Sequence, residues 1–205
     1  AGVTIEKIFA LESYRDQLAA FPQTIWVSEE ILRDLADTQT PQGIVAVIQK
    51  EEVELPDFSQ GKFLFLEDVQ DPGNVGTMIR TADAAGLTGV IVSDKSADIY
   101  SLKTLRSMQG SHFHLPIYRM SLASFVEEAK KSNLPILATT LSKESKDYRE
   151  LSPLENFALV MGNEGQGISP VMAESADQLV HIGMKGRAES LNVAIAAGIL
   201  MFYFS

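Results

Sequence analysis

The chain has 205 residues, of which 45% are hydrophobic and 21% charged, a composition typical of globular proteins. The absence of cysteine excludes disulfides, thiolate metal ligands and a cysteine nucleophile. The formal net charge of −10 argues against general affinity for nucleic acid, so binding to a polyanion requires a local excess of positive charge.

The first fifty residues predict a small α/β unit. TIWVS (24–28) and GIVAVI (43–48) are predicted strands, and Ser28 is expected to cap a helix over EEILRDLADT. The charged segment QKEEVELPDFSQGK then predicts a linker. We therefore expect a partial N-terminal α/β domain at 1–50, a linker at 51–62 and a second domain at 63–205.

Strands and helices alternate through the second domain. The predicted strands are FLFLED (63–68), GVIVS (89–93), LPIYRM (115–120), LPILATT (134–140), FALVMG (157–162) and QLVHIGM (178–184). Helices are predicted at about 75–85, over SLKTLRSM and LASFVEEAKK, and from about 190. Repeated βα units predict an α/β fold with a parallel sheet flanked by helices.

The ends of the chain indicate no membrane segment. The C-terminal apolar run LNVAIAAGILMFYF is shorter than the roughly 20 residues of a membrane span, so it predicts a buried or interface helix. The first residues lack the basic flank and apolar core of a signal peptide. We expect a cytoplasmic protein.

Three segments follow predicted strands, where parallel sheets bind ligands. They are motif 1, DVQDPGNVGTMIR (68–80), motif 2, GNEGQGIS (162–169), and motif 3, GMKGRAESLN (183–192). The glycines of motif 2 have the reverse order of a dinucleotide fingerprint, which disfavours a nucleotide-dependent oxidoreductase. Motif 2 is either a tight turn or a place where backbone approaches a ligand closely.

Several polar residues of these motifs have two interpretations. Arg80 stands among apolar residues, so its guanidinium either extends into solvent or binds a ligand. Ser190 is a predicted N-cap for the last helix, whereas Asn192 in an apolar helix needs hydrogen-bonding partners. The histidines have no metal-ligand spacing and no G-x-S-x-G is present, so we expect neither a metal site nor a serine hydrolase.

One stretch is free of acidic residues. Between Asp98 and Glu127 the charged side chains are Lys103, Arg106 and Arg119. The stretch is either a chance feature of a polar segment or a patch that faces phosphates.

Together, motifs 1–3 resemble the SpoU (TrmH-type) branch of the SPOUT methyltransferases, which methylate the ribose 2′-hydroxyl of structured RNA. Asn74, Gly76 and Arg80 match the first family motif, LVMGNEGQGIS the second and IGMKGRAESLNVAIA the third, and RSMQGSHFHLPI is similar to a family turn. Residues 24–48 resemble the end of the small RNA-binding domain of ribosomal-RNA members. Gly183 stands where the family usually has proline.

The resemblance implies a C-terminal trefoil knot that binds S-adenosylmethionine without metal, and a homodimer that pairs through the last helix. The implied site comprises the catalytic residues Arg80, Asn74, Glu164, Ser190 and Asn192, the cofactor-binding residues Gly162, Ile182, Met184 and Leu191, and the RNA-binding residues Lys103, Arg106 and Arg119. Ribosomal RNA is the expected substrate. The alternatives are a transfer-RNA 2′-O-methyltransferase and a non-catalytic RNA-binding relative.

Overall fold

The computed structural model describes residues 3–50 and 54–205 and divides the chain into two compact units, Ala1–Glu52 and Val53–Ser205. The first two residues of the predicted N-terminal domain and residues 51–53 of the predicted linker lie outside the described residues. Within the rest of that linker, Phe58 is buried, and its ring makes edge contacts with the rings of Phe63 and Phe125. Residue 58 therefore already belongs to the core of the second unit.

Within residues 3–50, three strands and one helix are formed. They are β1 (Ile5–Ala10), β2 (Ile25–Trp26), α1 (Glu29–Ala36) and β3 (Ile44–Ile48). β1 lies in the centre, parallel to β2 and antiparallel to β3. Ser28 caps α1 as predicted, because its Oγ accepts a hydrogen bond from the backbone of Ile31. β1 was not predicted, because the exposed Glu6 and Lys7 interrupt its apolar pattern.

The second unit, over residues 54–205, contains a parallel sheet with helices on both faces. Its strands are β4 (Lys62–Leu66), β5 (Gly89–Val92), β6 (Ile117–Arg119), β7 (Ile136–Thr139), β8 (Lys146–Asp147), β9 (Phe157–Met161) and β10 (Gln178–His181). Its helices are α2 (Pro72–Ala84), α3 (Leu102–Met108), α4 (Leu122–Lys131), α5 (Pro170–Ser175) and α6 (Val193–Phe204). The strand order is β6-β5-β4-β9-β7-β10-β8, and every neighbouring pair is parallel. The predicted parallel sheet is confirmed.

The sheet separates two hydrophobic clusters. Successive side chains of a strand point to opposite faces, so Leu64 and Leu66 of β4 pack into the cluster that contains buried residues of α2 and α6. Phe63 and Phe65 point the other way, towards α4 and α5, and Phe65 stacks on Phe125 at 4.1 Å between ring centroids. A strand buried on both faces explains the uninterrupted apolar run that the sequence shows there.

The two helices that matter for the site, α2 and α6, begin at polar caps. Asp71 caps α2 by accepting a hydrogen bond from the backbone of Asn74 at 2.9 Å, and Pro72 occupies the first turn, so α2 begins earlier than predicted. The cap of α6 is Asn192, whose Oδ1 accepts from Ala194 N at 2.9 Å and Ile195 N at 3.3 Å. The prediction of Ser190 as this cap was wrong, because residues 190 and 191 are not yet helical.

α6 is buried on one side, through Ala197, Leu200, Met201 and Phe204 among others. No helix in the described part of the chain has the length and apolarity needed to span a membrane.

Candidate active site

Motifs 1 and 2 follow the neighbouring strands β4 and β9 and are joined by hydrogen bonds. The carboxylate of Glu67, only 4% exposed, accepts from Ser169 N at 3.1 Å. Asn163 Nδ2 donates to the carbonyl of Asp68 at 2.8 Å. Asp68 has a φ of 56°, a left-handed conformation that is costly for a residue other than glycine. These contacts hold the two motifs in one arrangement.

Glu164 makes the densest set of contacts between these motifs. Its carboxylate accepts from the backbone N–H groups of Gln70 and Asp71, both at 3.1 Å, and from Asn74 Nδ2 at 3.0 Å. Burial raises the pKa of Glu164, but the hydrogen bonds from Asn74, Gln70 and Asp71 together outweigh it, and the pKa lies below its usual value. Glu164 is therefore an ionised acceptor that orients the Asn74 amide.

The same amide contacts motif 3. With its nitrogen directed at Glu164, Asn74 presents Oδ1 to Asn192, whose Nδ2 donates to it at 3.1 Å. The other side of the Asn192 amide caps α6. A hydrogen-bonded chain, Glu164–Asn74–Asn192, thus joins motifs 1, 2 and 3, and it contains three of the five predicted catalytic residues.

A cavity lies beside the hydrogen-bonded chain Glu164–Asn74–Asn192. Its volume of about 570 Å³ is within the usual range of small-molecule sites. All four predicted cofactor-binding residues line it, namely Gly162, Ile182, Met184 and Leu191. Glu164, Ser190 and Asn192 also line it, together with apolar side chains that include Met161, Val193 and Leu200.

Sequence reasoning missed one wall of this cavity. Residues 139–142, Thr-Thr-Leu-Ser, follow the buried part of β7 and line the cavity. The sequence feature that could have identified this wall is a run of hydroxyl side chains at the carboxyl end of β7, which lies between β9 and β10 in the sheet.

The structure does not bring Arg80 to the cavity. Arg80 is exposed on α2, six residues beyond Asn74, which corresponds to about 9 Å along the helix axis. It does not line the cavity, and its guanidinium makes no hydrogen bond or ion pair with any residue that the structure describes. An exposed, unpaired guanidinium is compatible with both interpretations of Arg80, namely extension into solvent and binding of a ligand.

Gly162 has a structural reason to be glycine. A Cβ at this position would overlap the backbone of Gly167 and Ile168. The loop closes there through reciprocal backbone hydrogen bonds of 2.9 Å between Asn163 and Gly167. A bulky residue at 162 would therefore disrupt motif 2 itself, whatever the cavity binds.

The start of motif 3 is held by β8. Gly183 lies against the carboxylate of Asp147, because a Cβ at Gly183 would lie 2.6 Å from Asp147 Oδ2. Arg149 donates to both oxygens of this carboxylate, at 2.8 and 2.7 Å. The Arg149 side chain, its backbone N–H and that of Gly183 hold the pKa of Asp147 far below its usual range.

The predicted RNA-binding residues have other contacts. Lys103 Nζ donates to Asp71 Oδ2 at 2.8 Å and holds the pKa of Asp71 below its usual value. Arg119 donates to the carbonyls of Ser93 at 2.7 Å and Ala97 at 3.4 Å. Arg106 is exposed on α3. Lys103 and Arg119 thus already bind acceptors of the protein.

Over residues 3–50 and 54–205, no group of three or more histidine, aspartate or glutamate side chains could hold a metal ion. The site consists of a cavity, one ionised carboxylate and two oriented amides. Such a set can hold and orient a polar ligand next to a small molecule.

Comparison with known proteins now identifies the family. The model of the SpoU rRNA methylase family matches residues 61–202, which is more than half of the chain. The chain belongs to the SpoU rRNA methylase family. The resemblance inferred from motifs 1–3 is confirmed.

Individual SpoU relatives match most of the chain. It is 45% identical over 181 residues to the 23S rRNA (guanosine(2553)-2′-O)-methyltransferase RlmP of Bacillus subtilis (strain 168), covering 88% of this chain and 72% of the relative. The structure of an AdoMet-bound rRNA methyltransferase from Sinorhizobium meliloti has a TM-score of 0.88 at 32% identity, covering 99% of this chain and 80% of that one. The SpoU methyltransferase AviRb from Streptomyces viridochromogenes, in complex with AdoMet, has a TM-score of 0.83 at 29% identity, covering 99% and 83%.

Proposed function

We propose that this SpoU protein transfers a methyl group from S-adenosylmethionine to the 2′-hydroxyl of a ribose in ribosomal RNA. The observation that carries the proposal is the hydrogen-bonded chain Glu164–Asn74–Asn192 beside the cavity. The relative that is 45% identical is a 23S rRNA 2′-O-methyltransferase, which favours ribosomal RNA over transfer RNA.

The cavity fits the cofactor. Its apolar side chains, among them Ile182 and Leu191, suit a flat adenine ring, and its hydroxyl groups suit a ribose. Its lining contains the Glu164 carboxylate and no lysine or arginine, which suits a cation. The bound cofactor supplies an electrophilic methyl group on a positively charged sulfur. Two of the similar structures contain AdoMet, so the cofactor prediction is confirmed for the family.

We assign the polar residues to orientation and electrostatics. Glu164 fixes the Asn74 amide, which in turn fixes Asn192 beside Ser190 at the cavity. Their polar atoms are placed to orient the attacking hydroxyl. Because a guanidinium group does not act as a base in proteins, we assign Arg80 to binding an RNA phosphate or to polarising the hydroxyl, and not to proton abstraction.

The experiment uses the purified protein, methyl-labelled S-adenosylmethionine, an unmodified 23S rRNA transcript and, for comparison, transfer-RNA transcripts. A 2′-O-methyl group blocks alkaline cleavage, so label is expected in alkali-resistant dinucleotides of the 23S transcript. Label in mononucleotides would indicate base methylation and contradict the proposal. Label only in transfer RNA would establish the alternative substrate, and no transfer to either RNA would favour a non-catalytic relative.

The protein is further proposed to be a homodimer that pairs through α6. Besides its buried side, α6 exposes Ile195, Ile199 and Phe202, with Ile195 56% and Phe202 61% exposed. The spacing of these residues forms one apolar stripe, which a second copy of the chain would cover. Light scattering is expected to give a dimer for the wild type and a monomer for Phe202→Asp; a monomeric wild type at micromolar concentration would contradict this.

We also propose a C-terminal knot, a role for the N-terminal unit in RNA recognition, and a cytoplasmic location. A knotted C-terminal segment is proposed because the resemblance to the SpoU family implies it. The N-terminal unit is proposed to recognise RNA, as its resemblance to the ribosomal-RNA members implies. A ribosomal-RNA substrate also supports a cytoplasmic location.

A further inference from the structure

Many cations of the second unit are paired with acceptors of the protein. The cations whose side chains bind an acceptor include Lys62 and Arg119, which donate to main-chain oxygens, and Lys95, Lys103, Lys131 and Arg149, which pair with carboxylates. By contrast, the side chains of Lys143, Lys146, Lys185 and Arg187 make no hydrogen bond or ion pair with any described residue. All four are exposed.

These four residues lie on two segments that border the cavity. Lys143 follows Ser142, and Lys185 follows Met184; Ser142 and Met184 both line the cavity. Arg187 lies in the exposed part of motif 3, before Ser190 returns to the cavity. We call residues 142–146 and 184–187 the rim segments.

The first rim segment lies against the end of β10, from which the chain leads into the second rim segment. Lys146 pairs in register with Val180, and the neighbouring Asp147 with His181. Ser145 Oγ lies 2.9 Å from His181 Nδ1, and Gly183 lies against the carboxylate of Asp147. The two segments that carry these cations therefore adjoin the same edge of the cavity, at the end of β10.

The charge on this edge is unlike that of the whole chain. The rim segments contain four cations and one acidic residue, Glu144; Glu189 follows the second segment, and Asp147, which follows the first, is paired with Arg149. The edge thus carries an excess of positive charge in a chain of net charge −10. Unpaired, exposed cations bind phosphates without first breaking an internal ion pair, unlike Lys103 with Asp71.

We propose that Lys143, Lys146, Lys185 and Arg187 bind the RNA phosphates that flank the target nucleotide. The inference rests on the proposed function: a ribose that reaches the cavity places its neighbouring phosphates at the cavity edge. The rim segments, and not the cluster Lys103, Arg106 and Arg119, then supply the main electrostatic contacts with the RNA. This surface contributes affinity and position but no base recognition.

The test measures binding of the unmodified 23S rRNA transcript by filter retention as a function of salt concentration. Each lost phosphate contact reduces the slope of log affinity against log salt by about 0.7 to 0.9. Lys185→Gln and Arg187→Gln are each expected to give that change, and their double variant about twice as much. Lys130→Gln is the matched control, because Lys130 is an exposed lysine of α4, also without a side-chain partner in the described structure. Its slope is expected to equal that of the wild type.

Calorimetry with S-adenosylmethionine completes the test. The double variant is expected to bind the cofactor with wild-type affinity. Weaker cofactor binding with a wild-type salt slope would assign the cations to the cofactor carboxylate and overturn the proposal. A wild-type slope in both Lys185→Gln/Arg187→Gln and Lys143→Gln/Lys146→Gln would also overturn it. Failure of the proposed function is distinguishable, because filter retention reports RNA binding even where no methyl group is transferred.

Discussion

Asn74 and Asn192, 118 residues apart in the chain, share a hydrogen bond of 3.1 Å in which Asn192 Nδ2 donates to Asn74 Oδ1. Each amide is oriented from its other end, Asn74 by the carboxylate of Glu164 and Asn192 by the first turn of α6. The donor and acceptor directions along the hydrogen-bonded chain Glu164–Asn74–Asn192 are therefore set by one ionised side chain and one helix N-terminus.

Substitution of Asn192 separates its two contacts. Asn192→Asp keeps an acceptor for the helix cap but presents an oxygen to Asn74 Oδ1, whereas Asn192→Ala removes both contacts. We expect Asn192→Ala to lower the free energy of unfolding by about 1 kcal/mol and Asn192→Asp to lower it less. Both are expected to slow methyl transfer severely. Denaturant unfolding and single-turnover rates measure the two effects; an active Asn192→Asp would show that the contact with Asn74 is dispensable.

Glu164→Gln is expected to disturb motif 1 in a pH-dependent way. The amide of glutamine offers one acceptor where the carboxylate accepts from Gln70, Asp71 and Asn74. Because the folded-state pKa of Glu164 is lowered from 4.5, its stabilising contribution is present above that pH and is lost as the pH falls through the folded-state value. The difference in unfolding free energy between wild type and Glu164→Gln should therefore shrink on acidification below pH 4.5. A difference that stays constant on acidification would exclude ionisation of Glu164 as the cause.

Arg80→Ala tests the exposed guanidinium. Since Arg80 has no side-chain partner in the described structure, its loss should change the unfolding free energy by no more than about 0.5 kcal/mol. Cofactor affinity should stay near that of the wild type while methyl transfer falls by orders of magnitude. Partial rescue by Arg80→Lys would indicate electrostatic stabilisation, and no rescue a bidentate contact. A single-turnover rate for Arg80→Ala within roughly threefold of the wild type would remove Arg80 from the mechanism.

Gly183→Ala tests the contact that holds motif 3. The added Cβ would lie 2.6 Å from Asp147 Oδ2, so the carboxylate or motif 3 must move. We expect weaker binding of S-adenosylmethionine, measured by calorimetry. In a double-mutant cycle with Asp147→Ala, the two changes should couple by about 0.5 to 3 kcal/mol, because they alter the same contact. Independent, additive effects would show that Asp147 does not position the loop.

Part of this structure follows directly from local sequence. The run Phe63–Leu66 predicts a strand buried on both faces, because such a strand must be apolar at every position. Asp71 and Pro72 are also residue types of a helix start, since an aspartate cap and a proline in the first turn satisfy or remove the same unpaired backbone donors. The predicted start at about residue 75 did not use this signal. The order and spacing of motifs 1–3 carried the resemblance to the SpoU family, which implies the cofactor, and the family match over residues 61–202 confirms that resemblance.

Only the tertiary structure decided which polar groups meet. Local pattern predicted Ser190 as the cap of α6 and placed Asn192 within the helix, whereas the backbone becomes helical only after Asn192, which is therefore the cap. The charges of Lys103 and Arg119 could be read from the sequence, but not that Asp71 and the carbonyls of Ser93 and Ala97 already bind them. Composition counts charges, whereas a free cation is defined by the absence of an acceptor within reach. That absence depends on contacts between residues far apart in the chain, which form only when the sheet and its loops have folded.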